Sequence, residues 1–319
     1  MHLVVGSAGH AGRYALAELS NHVAVRGVEL ADDLETAMAG VEIVHLAADL
    51  YSPLLRLRSG PDPNPRLVEL VRLAREAGVR RLVHLSTAQI LGPAPKGVLL
   101  ESSPLKPYHG YEKLRARDEQ WLLGQRGIEV VSLRPAHGFG PGDALSESLL
   151  LELTAGRPLL VGGGRAKRSF LAGPDLGRAF VAAALRARPG HAYLLSGFTA
   201  CWRDLFKVAA TALRLPVRFV DVPYDLVYLR TAFREWRTPE GAVCWPNRYV
   251  VDVIGRSHII EDGLSRRELS WSPTIGSLEE ARAELMEWVR VGRSAVAKKG
   301  SEGPGEGENL RGPEPTTLA

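Results

Sequence analysis

Short apolar runs alternate with helix-length amphipathic segments through the first half of the chain. Leu3–Val5, Glu42–Ala48, Arg81–Ser86 and Ile128–Arg134 are rich in Val, Ile and Leu and short enough to be strands buried on both faces. Between them, Gly12–Leu19, Asn64–Ala77 and Tyr111–Leu123 place apolar residues at helical spacing; in Asn64–Ala77 the face is Leu67, Leu70, Val71 and Ala74. Strand–helix–strand repetition of this kind predicts an α/β fold, a doubly wound parallel sheet with right-handed crossovers.

The second half is less regular. Leu149–Thr154, Pro174–Ala187 and Trp202–Leu213 predict helices, and His191–Leu195 and Val217–Val222 predict strands. Pro223–Pro246 carries Tyr224, Tyr228, Phe233, Trp236 and Trp245, a dense load for a chain that is 7% aromatic. Leu278–Val289 predicts a last helix, with Ser277 as N-cap and Glu279 and Glu280 in the favourable first turn. Ser294–Ala319 holds Gly and Pro but no aromatic residue, and such a tail is expected to be disordered.

Composition narrows the class. At roughly 150 residues per domain, 319 residues make two domains, or one large α/β domain with an appendage. Forty Lys and Arg against 36 Asp and Glu leave +4, with the charges scattered, so the pI of 9.1 does not argue for nucleic acid. The 45% hydrophobic and 24% charged residues suit a soluble globule. Cys201 and Cys244 stand alone, without CxxC or a Cys/His cluster, which argues against a disulfide framework or a metal site and for a reducing cytoplasm. No apolar run reaches the roughly 18 residues of a membrane span, so no membrane contact is expected.

The strongest single motif is Gly6-Ser7-Ala8-Gly9-His10-Ala11-Gly12, directly after the first strand and opening the first helix. A glycine-rich turn there lets backbone N–H groups and a helix N-terminus approach a diphosphate with no Cβ in the way. The alternative is a tight βα turn that binds nothing. The spacing is GxxGxxG, and nothing matches GxxxxGK[ST], which excludes the usual NTPase loop. His10 reads as a solvent-facing residue near the phosphates.

From this loop onward the chain resembles the extended short-chain dehydrogenase/reductase family, in its nucleotide-sugar epimerase and 3β-hydroxysteroid-dehydrogenase-like branch. Val44-His45-Leu46-Ala47-Ala48 looks like the family's VxHLAA strand end along the cofactor, and Asn64 like its structural Asn. Thr87, in Leu85–Gly92, falls where the family's active-site Ser/Thr stands. Leu133–Asp143, with Pro135 and His137, resembles LRPxxxYGPGD; Arg168-Ser169-Phe170 before Asp175 resembles RDFxxVxD; Leu269–Pro273 resembles LGWxP. The likeness implies a Rossmann-like dinucleotide-binding domain over approximately 1–165. A smaller C-terminal α/β substrate-binding domain would follow over 166–293, with some segments returning to the first sheet, then the tail 294–319. It also implies NAD or NADP as hydride carrier, a small-molecule substrate and a homodimer.

In that family a Tyr-x-x-x-Lys pair on one helix face does the acid–base work, the cation lowering the phenol's pKa. This chain departs from the pattern. Anchoring on Glu119–Leu123 puts Tyr111 at the tyrosine and Arg115 at the lysine; anchoring on Pro107-Tyr108 makes Tyr108 the acid, with Lys113 five residues on. His137 is a further proton-donor candidate. The usual cofactor discriminator is also displaced, because Asn21–Leu30 leaves room for little more than one strand. Asp32 or Asp33 would then approach the adenine end, and Arg26 would meet a 2′-phosphate, which favours NADP over NAD. Thr87-Ala88-Gln89 lacks the Asp-Glu that the family's sugar 4,6-dehydratases carry after this Thr, which disfavours a dehydratase, and the resemblance puts Arg168 where epimerases hold a diphosphate. Tyr224 and Trp236 suggest an aromatic pocket wall, or else belong to the small domain's core. These residues favour an NAD(P)-dependent oxidoreductase acting on a carbonyl or alcohol of a fairly hydrophobic molecule. A nucleotide-sugar epimerase and a non-catalytic NADP-binding sensor are the alternatives.

Overall fold

The computed structural model describes residues 1–289 other than 95, 96, 157, 217 and 287; the expected tail lies outside the described residues. Its main sheet has six strands, β1 (His2–Val5), β2 (Val25–Val28), β3 (Ile43–Leu46), β4 (Arg81–Leu85), β6 (Glu129–Pro135) and β10 (Ala192–Leu195). The order is β10-β6-β4-β3-β1-β2, and every pairing is parallel. Side-chain alternation explains the continuous apolar runs. Leu3, Val5, Val44, Leu46 and Leu82 face one helix layer, while Val4, Ile43, Val83 and Leu85 face the other.

The first layer contains α2 (Leu34–Ala37), α3 (Pro65–Glu76) and α4 (Gly110–Leu123); the second contains α1 (His10–Ser20) and α6 (Gly173–Arg186), packed along each other. Leu70 and Val71 of α3 are buried as the pattern predicts, each contributing about 1.5–3 kcal/mol. Only one short strand and the single-turn α2 separate α1 from β3, so β1 borders both β2 and β3. The chain therefore reverses its winding direction between β1 and β3, and the crevice at their C-terminal ends is where such sheets bind ligands.

The other strands are β5 (Val98–Leu99), β7 (His137–Phe139), β8 (Leu159–Val161), β9 (Lys167–Ala172), β11 (Phe198–Cys201), β12 (Val220–Val222) and β13 (Ile259–Ile260). They form three small sheets, β11-β9-β7, β12-β8 and β13-β5. A separate core under them joins α5 (Ala144–Thr154), α7 (Trp202–Leu213), α8 (Tyr224–Arg237) and α9 (Arg248–Gly255) around Phe170, Trp202 and Tyr249. The chain does not divide cleanly near 165: β10 completes the first sheet and α6 covers it. The last helix is described over 282–286, with Leu285 in it and Ala281 just before it buried, and Ser277 Oγ accepts from the Glu280 N–H.

Candidate active site

Two of the loop glycines are required by the fold itself. Gly6 has φ +83°, and a Cβ on it would stand 2.4 Å from Ala48 Cα; a Cβ on Gly12 would stand 1.9 Å from the Gly6 carbonyl oxygen. That close approach explains Gly6, Gly12 and Ala48 without a ligand. The rest of the loop is different. Gly9 is the N-cap of α1 and lends no side-chain cap, and the first turn holds no acidic residue, so the helix start keeps donors for an anion.

The residue that closes this loop is one the sequence reading missed. Glu29, directly beyond β2, accepts hydrogen bonds from Ala8 N (2.7 Å) and Ser7 Oγ (3.1 Å). Asp32 accepts from Glu29 N at 2.7 Å, and Asp33 caps α2 through Thr36 N. Arg26 lies within β2 and donates to the Ala39 carbonyl at 3.0 Å, so it does not stand beyond the strand where a 2′-phosphate would meet it. The strand end itself carries an acid, Glu29. His10 is not a solvent-facing residue either. Its Nδ1 and the Pro141 carbonyl are 2.9 Å apart, and Tyr14 meets its ring edge-on.

Tyr111 and Arg115 sit one turn apart on the inner side of α4. Arg115 is 3% exposed; its Nη2 donates to the Leu85 carbonyl at 2.6 Å, its Nη1 lies 3.7 Å from Asp49 Oδ1, and its Nε has no partner. The bond to Leu85 ties α4 to the end of β4, two residues before Thr87. Thr87 Oγ1 accepts from Gln89 N at 3.2 Å. Burial raises the Tyr111 phenol above its ordinary pKa, the Arg115 charge opposes this, and Asp49 and Asp143 add to it. Tyr108 and Lys113 are placed otherwise. Tyr108 precedes α4 and is 55% exposed, and Lys113, also exposed, lies five residues on and two beyond Tyr111.

Tyr111 opens onto a chamber of about 550 Å³, whose wall also includes Leu55, Arg56, Tyr108, Lys113 and Tyr249. The Tyr111 and Tyr249 rings are 5.1 Å apart. Neither Tyr224 nor Trp236 lines it: Tyr224 hydrogen-bonds Asp252, and Trp236 is 74% exposed on α8, so the aromatic wall expected from these two is not formed. A second cavity of about 20 Å³ touches Gln89 and Arg168. Buried Arg168 donates to the carbonyls of Val253 and Arg256 and to Gln89 Oε1, and burial lowers its pKa to about 10. His137 is enclosed by Phe170 and Trp202, and burial holds its pKa well below the usual range. Asn64 caps α3 by accepting from Arg66 N, and Pro135 ends β6. Among the described residues no group of His, Cys, Asp and Glu is arranged for a metal, and both cysteines are free.

Residues 66–196 match the NAD dependent epimerase/dehydratase family. The chain is 27% identical over 256 residues to the 4-hydroxy-2-methyl-3-oxo-4-farnesyl-3,4-dihydroquinoline-1-oxide ketoreductase of Stigmatella aurantiaca, covering 77% of each chain. It is 27% identical to sterol demethylase protein B of Methylococcus capsulatus over 69% of this chain and 70% of that protein. The crystal structure of dTDP-glucose 4,6-dehydratase from Streptomyces venezuelae with NAD bound superposes with a TM-score of 0.69 and 21% identity, over 92% of this chain and 98% of that one. Together with the ordered motifs on a parallel doubly wound sheet, these matches make residues 66–196 similar to the NAD dependent epimerase/dehydratase family and give the chain the fold of the solved dehydratase.

Proposed function

We propose that this protein is an NAD(P)-dependent oxidoreductase that interconverts a carbonyl and an alcohol on a fairly hydrophobic small molecule, with Tyr111 as proton donor and acceptor. The observation that carries the reading is the Tyr111–Arg115 pair, one turn apart on the buried side of α4, with Tyr111 lining the chamber. A dinucleotide fits the crevice between β1 and β3. The uncapped start of α1 would hold the diphosphate, and Glu29 would meet a ribose diol, which favours NAD over a 2′-phosphorylated form. When bound, the nicotinamide supplies or takes the hydride.

The chain's own residues do the rest. Thr87 Oγ1 positions the substrate oxygen, and Tyr111 gives it a proton as the alcohol forms or takes one as the alcohol is oxidised. Arg115 stabilises the phenolate and cannot itself lose its proton, which a lysine could. Burial raises the Tyr111 phenol above its ordinary pKa, so the group rests protonated, the form that gives a proton as the alcohol forms. The named activity of the Stigmatella relative, a ketoreductase, supports the same class.

Buried Arg168, with no carboxylate partner among the described residues, favours a second reading as a nucleotide-sugar epimerase. Size supports the first reading. The cavity at Arg168 has about 20 Å³, room for a water but not a diphosphate, whereas the chamber at Tyr111 is about 550 Å³. The test is NADH oxidation with a panel of apolar ketones. Tyr111→Phe is expected to lower kcat about 100-fold or more with cofactor affinity unchanged, and Tyr108→Phe to leave turnover near wild type. Full turnover by Tyr111→Phe would refute the assignment, and stabilisation by UDP-sugars with no ketone turned over would select the epimerase.

A further inference from the structure

α8 carries two apolar faces. Val227 and Thr231 are buried beneath it, and on the other side Leu226, Leu229, Phe233 and Trp236 follow at three- and four-residue spacing, 52, 69, 60 and 74% exposed. The outer face of a surface helix ordinarily carries polar groups; a continuous row of large apolar ones marks an interaction surface. Arg230, Arg234 and Arg237 border the row, and the Arg237 guanidinium lies 5.7 Å from the Phe233 ring centre, which is 6.0 Å from that of Trp236.

We infer that this face docks the protein on an anionic lipid bilayer, with α8 lying in the plane of the interface. Leucine, phenylalanine and tryptophan suit the boundary between headgroups and acyl chains, and flanking arginines pair with lipid phosphates. The charge argues against the other occupants. A second copy related by a two-fold axis would bring the three arginines of one α8 towards those of the other. The chain beyond residue 289 offers only Val291, Val296, Leu310 and Leu318 as large apolar residues, without helical spacing to match the row. The lack of a membrane-spanning run does not bear on a helix that lies on the surface. On its inner side α8 contributes Glu235 to the chamber at Tyr111, so docking holds that chamber's wall at the bilayer. The inference rests on the helix face and not on the redox reading.

The experiment is flotation of the full chain with phosphatidylcholine vesicles, with and without phosphatidylglycerol. Flotation is expected only with the anionic lipid, weakening as salt rises. The variant Leu229→Glu/Phe233→Glu, changed at exposed positions, is expected to keep the wild-type melting curve and bind at least about tenfold more weakly. Arg230→Gln/Arg237→Gln keeps the apolar row and is expected to lose about fivefold in vesicle affinity per arginine. Failure of the wild type to float, or binding by both variants as tight as that of the wild type, overturns the inference. So does a wild-type dimer that ignores vesicles and becomes monomeric in the Leu229→Glu/Phe233→Glu variant, because the second copy is then the occupant.

Discussion

Glu29 holds the glycine loop by two hydrogen bonds and is itself held by Asp32, so one carboxylate both shapes the loop and sets the charge beyond β2. Wild-type protein is expected to bind NADH more tightly than NADPH. Glu29→Ala is expected to weaken NADH about tenfold, the worth of a charge-assisted hydrogen bond, and to narrow or reverse the preference. Calorimetric titration with both cofactors checks this; a wild type that prefers NADPH would refute it. The sequence places one strand in Asn21–Leu30 but does not mark where it ends. Pairing of Val25–Val28 with His2–Val5 brings Glu29 to the loop and leaves Arg26 inside the strand. The Tyr111/Arg115 spacing, by contrast, is legible in the chain, because helical geometry alone puts residues four apart on one side.

α4 packs through polar groups as well as apolar ones, with Glu112, Arg115, Asp118 and Glu119 buried beside Leu114 and Leu122. Asp118 accepts from Tyr51 Oη (2.7 Å) and Asn64 N (3.2 Å), and Glu112 accepts from Tyr108 N and His109 N. Glu119, fully buried, accepts from Arg134 of β6, with Nε 3.0 Å from one carboxylate oxygen and 3.1 Å from the other. Glu119→Ala leaves the arginine buried without its partner and is expected to cost about 3–5 kcal/mol. Glu119→Leu/Arg134→Met, which removes both charges, is expected to recover most of that. Urea denaturation measures both, and a single variant within about 1 kcal/mol of wild type would contradict the argument. This polar packing also explains why hydrophobic periodicity marks α4 less clearly than α3. α7 (Trp202–Leu213), with Leu205, Phe206 and Ala209 on its buried side, follows the sequence-based expectation residue for residue. Pro223–Pro246, expected as a pocket wall or a core, divides instead: Tyr224, Tyr228 and Trp245 pack against the second core, and Phe233 and Trp236 face outwards.

Across the whole molecule, neutral histidines are sealed inside. Burial lowers His45 and His258 to about 3, and His84 and His137 well below their usual value. In the unfolded chain these groups titrate near 6.5, so between about 6.5 and 3 the unfolded state binds protons that the folded state does not. Stability is therefore fully present above that window and is lost as pH falls through it, at up to about 1.4 kcal/mol per pH unit for each such histidine. Melting curves are expected to show a lower Tm at pH 5 than at pH 7; equal values would show that these rings accept protons in the folded state.

The alternation of buried strands and amphipathic helices, the glycine turn and the tyrosine–arginine spacing are local properties, so the chain alone determined the sheet, its helical layers and the helix that carries the phenol. The rest depends on residues far apart in the chain. Which acid closes the cofactor loop, which arginine is buried without a carboxylate and which aromatic rings face outwards follow from strand pairing and helix packing. No local pattern records those distances, because they arise only when separate segments compete for the same core.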